Sequence, residues 1–464
     1  MNREDWNLML LAQNQNALRF DQISAYLTSP VGLFGLALLI GGSVAIAVTG
    51  KGRLLWVATL VTCSIFAPAV INDIWVRPPA PLDTIVLQAR SVTAVLLIGL
   101  LLPAVLPYRQ ETYPVFVPLI AIGFITFQTL YCFRYMVSGF VPEAFTRLVT
   151  FWGVFIVMGV GLPTWLSQQR RPDSMILYLV GGLSLVLLCC LYGLGVNPNS
   201  LDHNGRFHGV TGNANHMGIN LAGFVPMVLA YLALKKRSMV IKLAVMGIML
   251  FSITLLIWTG SRSGVWAAFI MSLVFYRRRL KTLFLTGGVA GLLFAYFFYD
   301  FVVGSGASEQ GDRLISTTNT RAGEWSYAMQ SFYESPVFGH AGSPPFAVVP
   351  GSYVTLLSVM GIFGVVAIAP FALACLRTVY LLWRIPKSQG EVAVFADMAI
   401  AAILGFSIHA IFEGTLFSTM SYVIFMIYIY VSFAEIALRQ QGQLQPAAAI
   451  PGTQMPLSSM PIRA

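Results

Sequence analysis

The chain has 464 residues, of which 57% are apolar and only 10% charged, with a formal net charge of +10. Water-soluble domains carry about 25% charged residues, so a soluble globular protein is excluded. The positive balance does not indicate nucleic acid either. Most of it sits in short clusters between apolar runs, where Lys and Arg report membrane orientation.

Residues 1–30 are mixed polar and are expected to lie at the membrane surface rather than act as a cleavable leader. Residues 31–438 read as one transmembrane domain, with apolar runs at 31–49, 54–71, 84–106, 113–132, 147–166, 174–195, 216–234, 240–258, 264–276, 282–299, 353–383, 394–414 and 417–437. About 20 such residues cross a hydrocarbon core of about 30 Å. The expected fold is therefore an all-α polytopic membrane protein with 12 or 13 spans, the short 264–276 run leaving the count open. If all cross, Lys51 and Arg53, Arg170 and Arg171, Lys235 to Arg237, Arg277 to Arg279 with Lys281, and Arg384 with Lys387 fall on one side. By the positive-inside rule that side is cytoplasmic, and the amino terminus is outside. Two outer loops are long, 196–215 and 300–352, and the second is expected to be helical around Arg321–Tyr333. Residues 439–464, rich in Gln, Pro, Ala and Ser, read as a disordered cytoplasmic tail. The five cysteines have no disulfide or metal-ligand spacing and read as packing residues; no metal or cofactor is expected.

All six lysines fall on the cytoplasmic side, whereas the outer side has Arg77, Arg134, Arg147, Arg206, Arg262, Arg313 and Arg321. Orientation alone should thin out both cations there. Arginine without lysine indicates guanidinium chemistry, because the planar fork binds phosphate bidentately and never deprotonates. Snorkelling surface residues are the plainer alternative.

Five outer clusters follow in chain order. In Arg206–Gly218, Asn213 and Asn215 suit a helix cap and His216 follows them, so free amides and a positive dipole end would face an anion. In Thr259–Gly264, Arg262 lies on a turn so short that it needs an anionic partner, from a substrate or a lipid. Arg321 and Glu324 are three apart on the expected loop helix, and an ion pair between them is the ordinary account. His340, between glycine-rich turns, is a reachable base, although a lone loop histidine is more often incidental. Ser352 opens the next apolar run. His409 and Glu413, at i and i+4 near the end of a late span, are expected to bond each other and either to serve structure or to support the site from behind.

Taken in order, these clusters resemble the O-antigen ligase and O-antigen polymerase superfamily of bacterial inner-membrane proteins. The resemblance rests on Arg206, Gly209, Asn213 and Asn215; on Ser261 to Gly264; on Arg321, Trp325, Pro336, Gly339 and Gly342; on Gly361 and Gly364; and on the His409/Glu413 segment. It covers roughly residues 200–435, and the earlier spans match only in character.

The resemblance implies a metal-independent glycosyltransferase without cofactor, acting at the periplasmic face. Its donor would be an oligosaccharide on undecaprenyl pyrophosphate, with the diphosphate held by Arg206, Arg262 and Arg321. The acceptor would be another glycan in a polymerase or lipid A core in a ligase, with membrane lipids around the chain and a chain-length regulator as a further partner. Many ligases have a His-Asn pair where this chain has Gly351-Ser352. Serine cannot replace histidine as base, so either His340 substitutes or leaving-group stabilisation suffices. That departure favours a polymerase of O-antigen, capsule or exopolysaccharide over a ligase. A transporter is the rival of another class, but it would gather polar groups near the midplane, whereas these clusters lie at the outer ends of the spans.

Overall fold

The computed structural model of the protein describes residues 37, 41, 42, 44, 45, 54–58, 62, 117–167, 169, 171–196, 201, 205–211, 213–234, 238–278, 322–340, 351–414, 416 and 422–444. Among the described residues the fold is helical, with no strand and one isolated antiparallel bridge between Leu201 and Phe207. The helices in chain order are α1 (Leu119–Val137), α2 (Val141–Val154), α3 (Leu162–Ser167), α4 (Asp173–Val196), α5 (Ala214–Ala233), α6 (Met239–Trp258), α7 (Arg262–Phe275), α8 (Ala322–Glu334), α9 (Ser352–Trp383), α10 (Glu391–Phe412) and α11 (Tyr422–Leu444). A π-helical stretch, Phe155–Gly161, joins α2 to α3. The 31–49, 54–71, 84–106 and 282–299 runs lie wholly or largely outside the described residues, as do residues 1–30.

Eight helices among the described residues are long and apolar enough to cross a membrane. That is the architecture of a multi-pass membrane protein. α5, α10 and α11 are mostly enclosed, whereas α6 and α9 turn much of their surface outward. Leu185, Leu188, Val366, Leu373 and Leu376 are each more than half exposed. An apolar exterior of this extent suits hydrocarbon rather than water. The tail differs from expectation: α11 continues past Arg439 to Leu444, with Arg439 Nε donating to Glu435 Oε1 at 2.9 Å on the preceding turn.

α5, α7 and α10 form the centre. Gly218 and Gly264 let α5 and α7 touch through backbone: a Cβ on Gly264 would sit 2.9 Å from the carbonyl carbon of Gly218. These are the opening turns of both helices, so the two run parallel from a common end. At the other end, Arg277 just beyond α7 bonds Asp397 in the second turn of α10 at 2.6 Å. α7 and α10 are thus antiparallel, and the end of α10 lies beside the start of α7. Tyr430 on α11 donates to the Gly223 carbonyl and ties α11 to the same centre.

The expected span at 353–383 is divided. Thirty-two residues of unbroken helix would run about 48 Å, well beyond the core thickness. At Gly361 the backbone takes φ 59° and ψ −148°, splitting α9 into a short opening helix and a long one. The long part, from Ile362, covers about 33 Å. α7, with 14 residues, reaches only about 21 Å.

Replacing Gly361 with Ala should destabilise the fold by more than the roughly 1–2 kcal/mol of a left-handed non-glycine residue. The added Cβ would also meet the Pro336 carbonyl oxygen at 2.5 Å. Thermal unfolding in detergent should show a lowered midpoint.

Candidate functional site

Two separate outer clusters of the sequence form one knot at the shared start of α5 and α7. The Phe207 amide donates to the Trp258 carbonyl at 3.1 Å, and the two rings stack with centroids 5.9 Å apart. That places Arg206, only 8% exposed, over the α6–α7 turn. Its Nε donates to the Thr259 carbonyl at 2.7 Å and its Nη2 to Asn215 Oδ1 at 2.6 Å. Arg206 therefore welds the 205–213 loop, the α6–α7 turn and the start of α5 together.

Asn213 caps α5, accepting from the amides of Asn215 at 2.9 Å and His216 at 3.2 Å. Asn215 itself caps nothing and serves Arg206. Ser261 caps α7, accepting from the Gly264 amide at 3.3 Å, and the Ser261 amide donates to Thr259 Oγ1 at 3.1 Å. Arg262 is the first residue of α7 and is half-buried beside these hydroxyls. Each helix start presents amides without an intrahelical partner and about half a positive charge from the macrodipole. His208 is fully buried with Nδ1 2.9 Å from the Gly209 carbonyl oxygen, and its Nε2 has no hydrogen-bond partner among the described residues. His208 was not among the residues singled out above; its neighbours Arg206 and Gly209 were, and only burial separates it from them.

The second knot surrounds the break in α9. Interrupting a helix strips amides from the new start and carbonyls from the old end. The turn after α8 supplies both. Ile362 and Phe363 amides donate to the carbonyls of Pro336 at 2.8 Å and Val337 at 3.0 Å, while the His340 amide donates to the Ser358 carbonyl at 2.7 Å. Gly339 and Gly361 nest where no Cβ fits. Arg134, in the last turn of α1, clamps this turn from the other side: Nε donates to Phe338 O at 2.9 Å, Nη2 to Gly339 O at 3.1 Å, and Nη1 to the Ser138 hydroxyl. The His340 side chain stands exposed on a backbone anchored to three helices.

Ser352 is buried, and its role is joining. Its amide and hydroxyl both donate to the Glu413 carbonyl, at 3.1 and 2.8 Å, and its oxygen accepts from the Leu416 amide at 3.2 Å. Glu413 caps α10 in extended conformation, φ −130° and ψ 144°, so the helical spacing from His409 ends there. The Glu413 amide donates to the His409 carbonyl at 3.0 Å. His409 is buried within α10. Glu324 is exposed on the first turn of α8, and Trp325 of the same helix reaches the start of α9, where a Cβ on Gly351 would lie 3.4 Å from Trp325 Nε1. Arg321, one residue before α8, lies outside the described residues.

Both knots occupy the same end of the bundle, since α7 starts where α10 ends. Among the described residues no group of three or more His, Cys, Asp or Glu is placed to hold a metal. In comparison with known proteins, no family model and no curated protein matches the chain.

Changing Arg134 to Lys should loosen the 336–340 turn, because one ammonium cannot span two carbonyls and a hydroxyl. Bonds from a charged donor contribute about 1.5–3 kcal/mol each. Hydrogen exchange at the His340, Ile362 and Phe363 amides should rise by an order of magnitude or more, while the Arg206 knot keeps its protection.

Proposed function

We propose that this end of the bundle binds the diphosphate of a lipid-linked glycan and transfers the glycan to an acceptor hydroxyl. The observation that carries the reading is the convergence of two parallel helix starts with Arg206 and Arg262 on one turn. Helix N-termini attract anions through the macrodipole even where side chains cap their amides, and guanidinium groups match phosphate oxygens in pairs. Arg206 is largely engaged in holding the turn, which makes it the base of the site. Arg262, the first residue of α7, is assigned to the phosphate beside it, and Arg321, adjoining α8 in sequence, supplies a further guanidinium.

In the proposed reaction the acceptor oxygen attacks the anomeric carbon. A glycosidic C–O bond forms as the C–O bond to pyrophosphate breaks, and the electron pair leaves with the diphosphate. Cations and aligned amides stabilise that growing charge. His340, whose side chain is exposed, takes the hydroxyl proton, while buried Ser352 is occupied in joining α9 to the chain after α10.

The full reading is a bacterial inner-membrane enzyme with 12 or 13 spans, its site and partly helical 300–352 loop in the periplasm. Its donor is an oligosaccharide on undecaprenyl pyrophosphate, and its product extends O-antigen, capsule or exopolysaccharide. The alternative within the same chemistry is transfer of finished glycan to lipid A core, and gene deletion separates the two. Single-repeat caps indicate the polymerase; accumulated lipid-linked polymer with bare core indicates the ligase.

Purified protein carrying Arg262→Lys or Arg321→Lys should lose about tenfold or more of its turnover of lipid-linked oligosaccharide, the scale of one charged hydrogen-bond pair. Undiminished product from both variants would remove the diphosphate role.

A further inference from the structure

The opposite end of the bundle contains a charge imbalance that the transferase reading does not use. Beyond α7 the chain turns through Arg277 and Arg278 at the junction with α9 and α10. Arg277 Nε and Nη2 donate to Asp397 Oδ1 at 3.1 and 2.6 Å, and Arg278 Nη2 lies 3.3 Å from that same oxygen. The three side chains are 10%, 19% and 13% exposed for Arg277, Arg278 and Asp397. Two guanidinium groups thus share one carboxylate oxygen in a site largely closed to water. Burial draws the Arg277 pKa below its ordinary value, Asp397 opposes this, and Arg278 adds to the lowering. Arginine still does not deprotonate in proteins, so among the described residues this cluster sets two guanidinium charges against one carboxylate.

The depth of the cluster says which anion it suits. The Arg277 guanidinium lies 3.8 Å from the centroid of the Trp383 ring, and that of Arg384 lies 4.2 Å from the Tyr380 ring. Both rings are more than half exposed at the end of the long α9 segment. Exposed Trp and Tyr at span ends mark the level of lipid headgroups, which is where lipid phosphates lie. Basic pockets between transmembrane helices on the cytoplasmic side bind acidic headgroups.

We infer that Arg278, supported by Arg277 and Arg384, binds the phosphate headgroup of an anionic phospholipid where α7, α9 and α10 meet. Arg277 is the anchor, already bonded to Asp397 and stacked on Trp383. Arg278 is the receiving group, since the oxygen it approaches already accepts two bonds from its neighbour. The bound lipid would join three helices at the end remote from the proposed transfer site, so the inference is independent of that reading.

Native mass spectrometry of the purified full-length protein, with phosphatidylglycerol, cardiolipin or phosphatidylcholine added, tests this. The wild-type protein should retain the two anionic lipids in preference to phosphatidylcholine, and both should raise its thermal midpoint. Arg278→Gln, which leaves the Arg277–Asp397 pair and the Trp383 stack in place, should weaken anionic-lipid binding about fivefold, the share of one interfacial cation. If that variant fails to fold, Arg278→Lys replaces it and should restore most of the binding that Gln would lose. Equal retention of phosphatidylcholine, unchanged affinity in the Gln variant, or equal stabilisation by inorganic phosphate alone would overturn the site.

Discussion

Inside an apolar bundle every backbone amide and carbonyl must find a partner within the protein, and this requirement shapes the polar end of the molecule. A continuous helix meets it without help. Each interruption exposes groups that water would otherwise cover. At Gly361 the groups are met by Pro336, Val337 and His340; at the starts of α5 and α7 they are met by Asn213 and Ser261. The polar residues of the proposed site are gathered at these interruptions, and most are engaged in repairing them.

Repair and function are therefore hard to separate residue by residue. Arg206 is a guanidinium at the proposed diphosphate position, yet two of its nitrogens bond Thr259 and Asn215. Without those bonds the 205–213 loop would be tied to the end of α6 only through Phe207 and Trp258. A preorganised site requires such supports. The same holds for Arg134, whose clamp on Phe338 and Gly339 fixes where His340 emerges.

The spans that fall on described residues were legible because an apolar run of about 20 residues has few other uses, although α1 starts at Leu119 and α2 at Val141, well away from the expected starts, and α11 outruns its expected end. Local caps were legible too: Asn213 carries a cap by side-chain chemistry alone, and the short Thr259–Gly264 stretch admitted only a tight turn. Long-range repair was not legible. Nothing in the spacing of Arg134 announces carbonyl partners two hundred residues away, and nothing in the glycines of α9 distinguishes Gly361, which breaks the helix, from Gly364, which packs within it. The end of α10 at Glu413, four residues after His409, was not marked by the spacing of the two residues. The tail shows a related effect. Arg439 and the glutamines after it are polar but good helix formers, so α11 continues to Leu444.

The backbone contact between Gly218 and Gly264 has an electrostatic consequence. It sets two parallel macrodipoles side by side with their positive heads abutting, where each carries about half a unit charge. Like poles repel, so a larger residue at either glycine would ease the repulsion by spreading the helices, and would dilute the field at the same stroke. Keeping them in van der Waals contact concentrates about one full positive charge of main-chain origin on a spot a few ångströms wide, before any side chain is counted. A doubly charged visitor would turn that mutual repulsion into a shared attraction and draw the pair together.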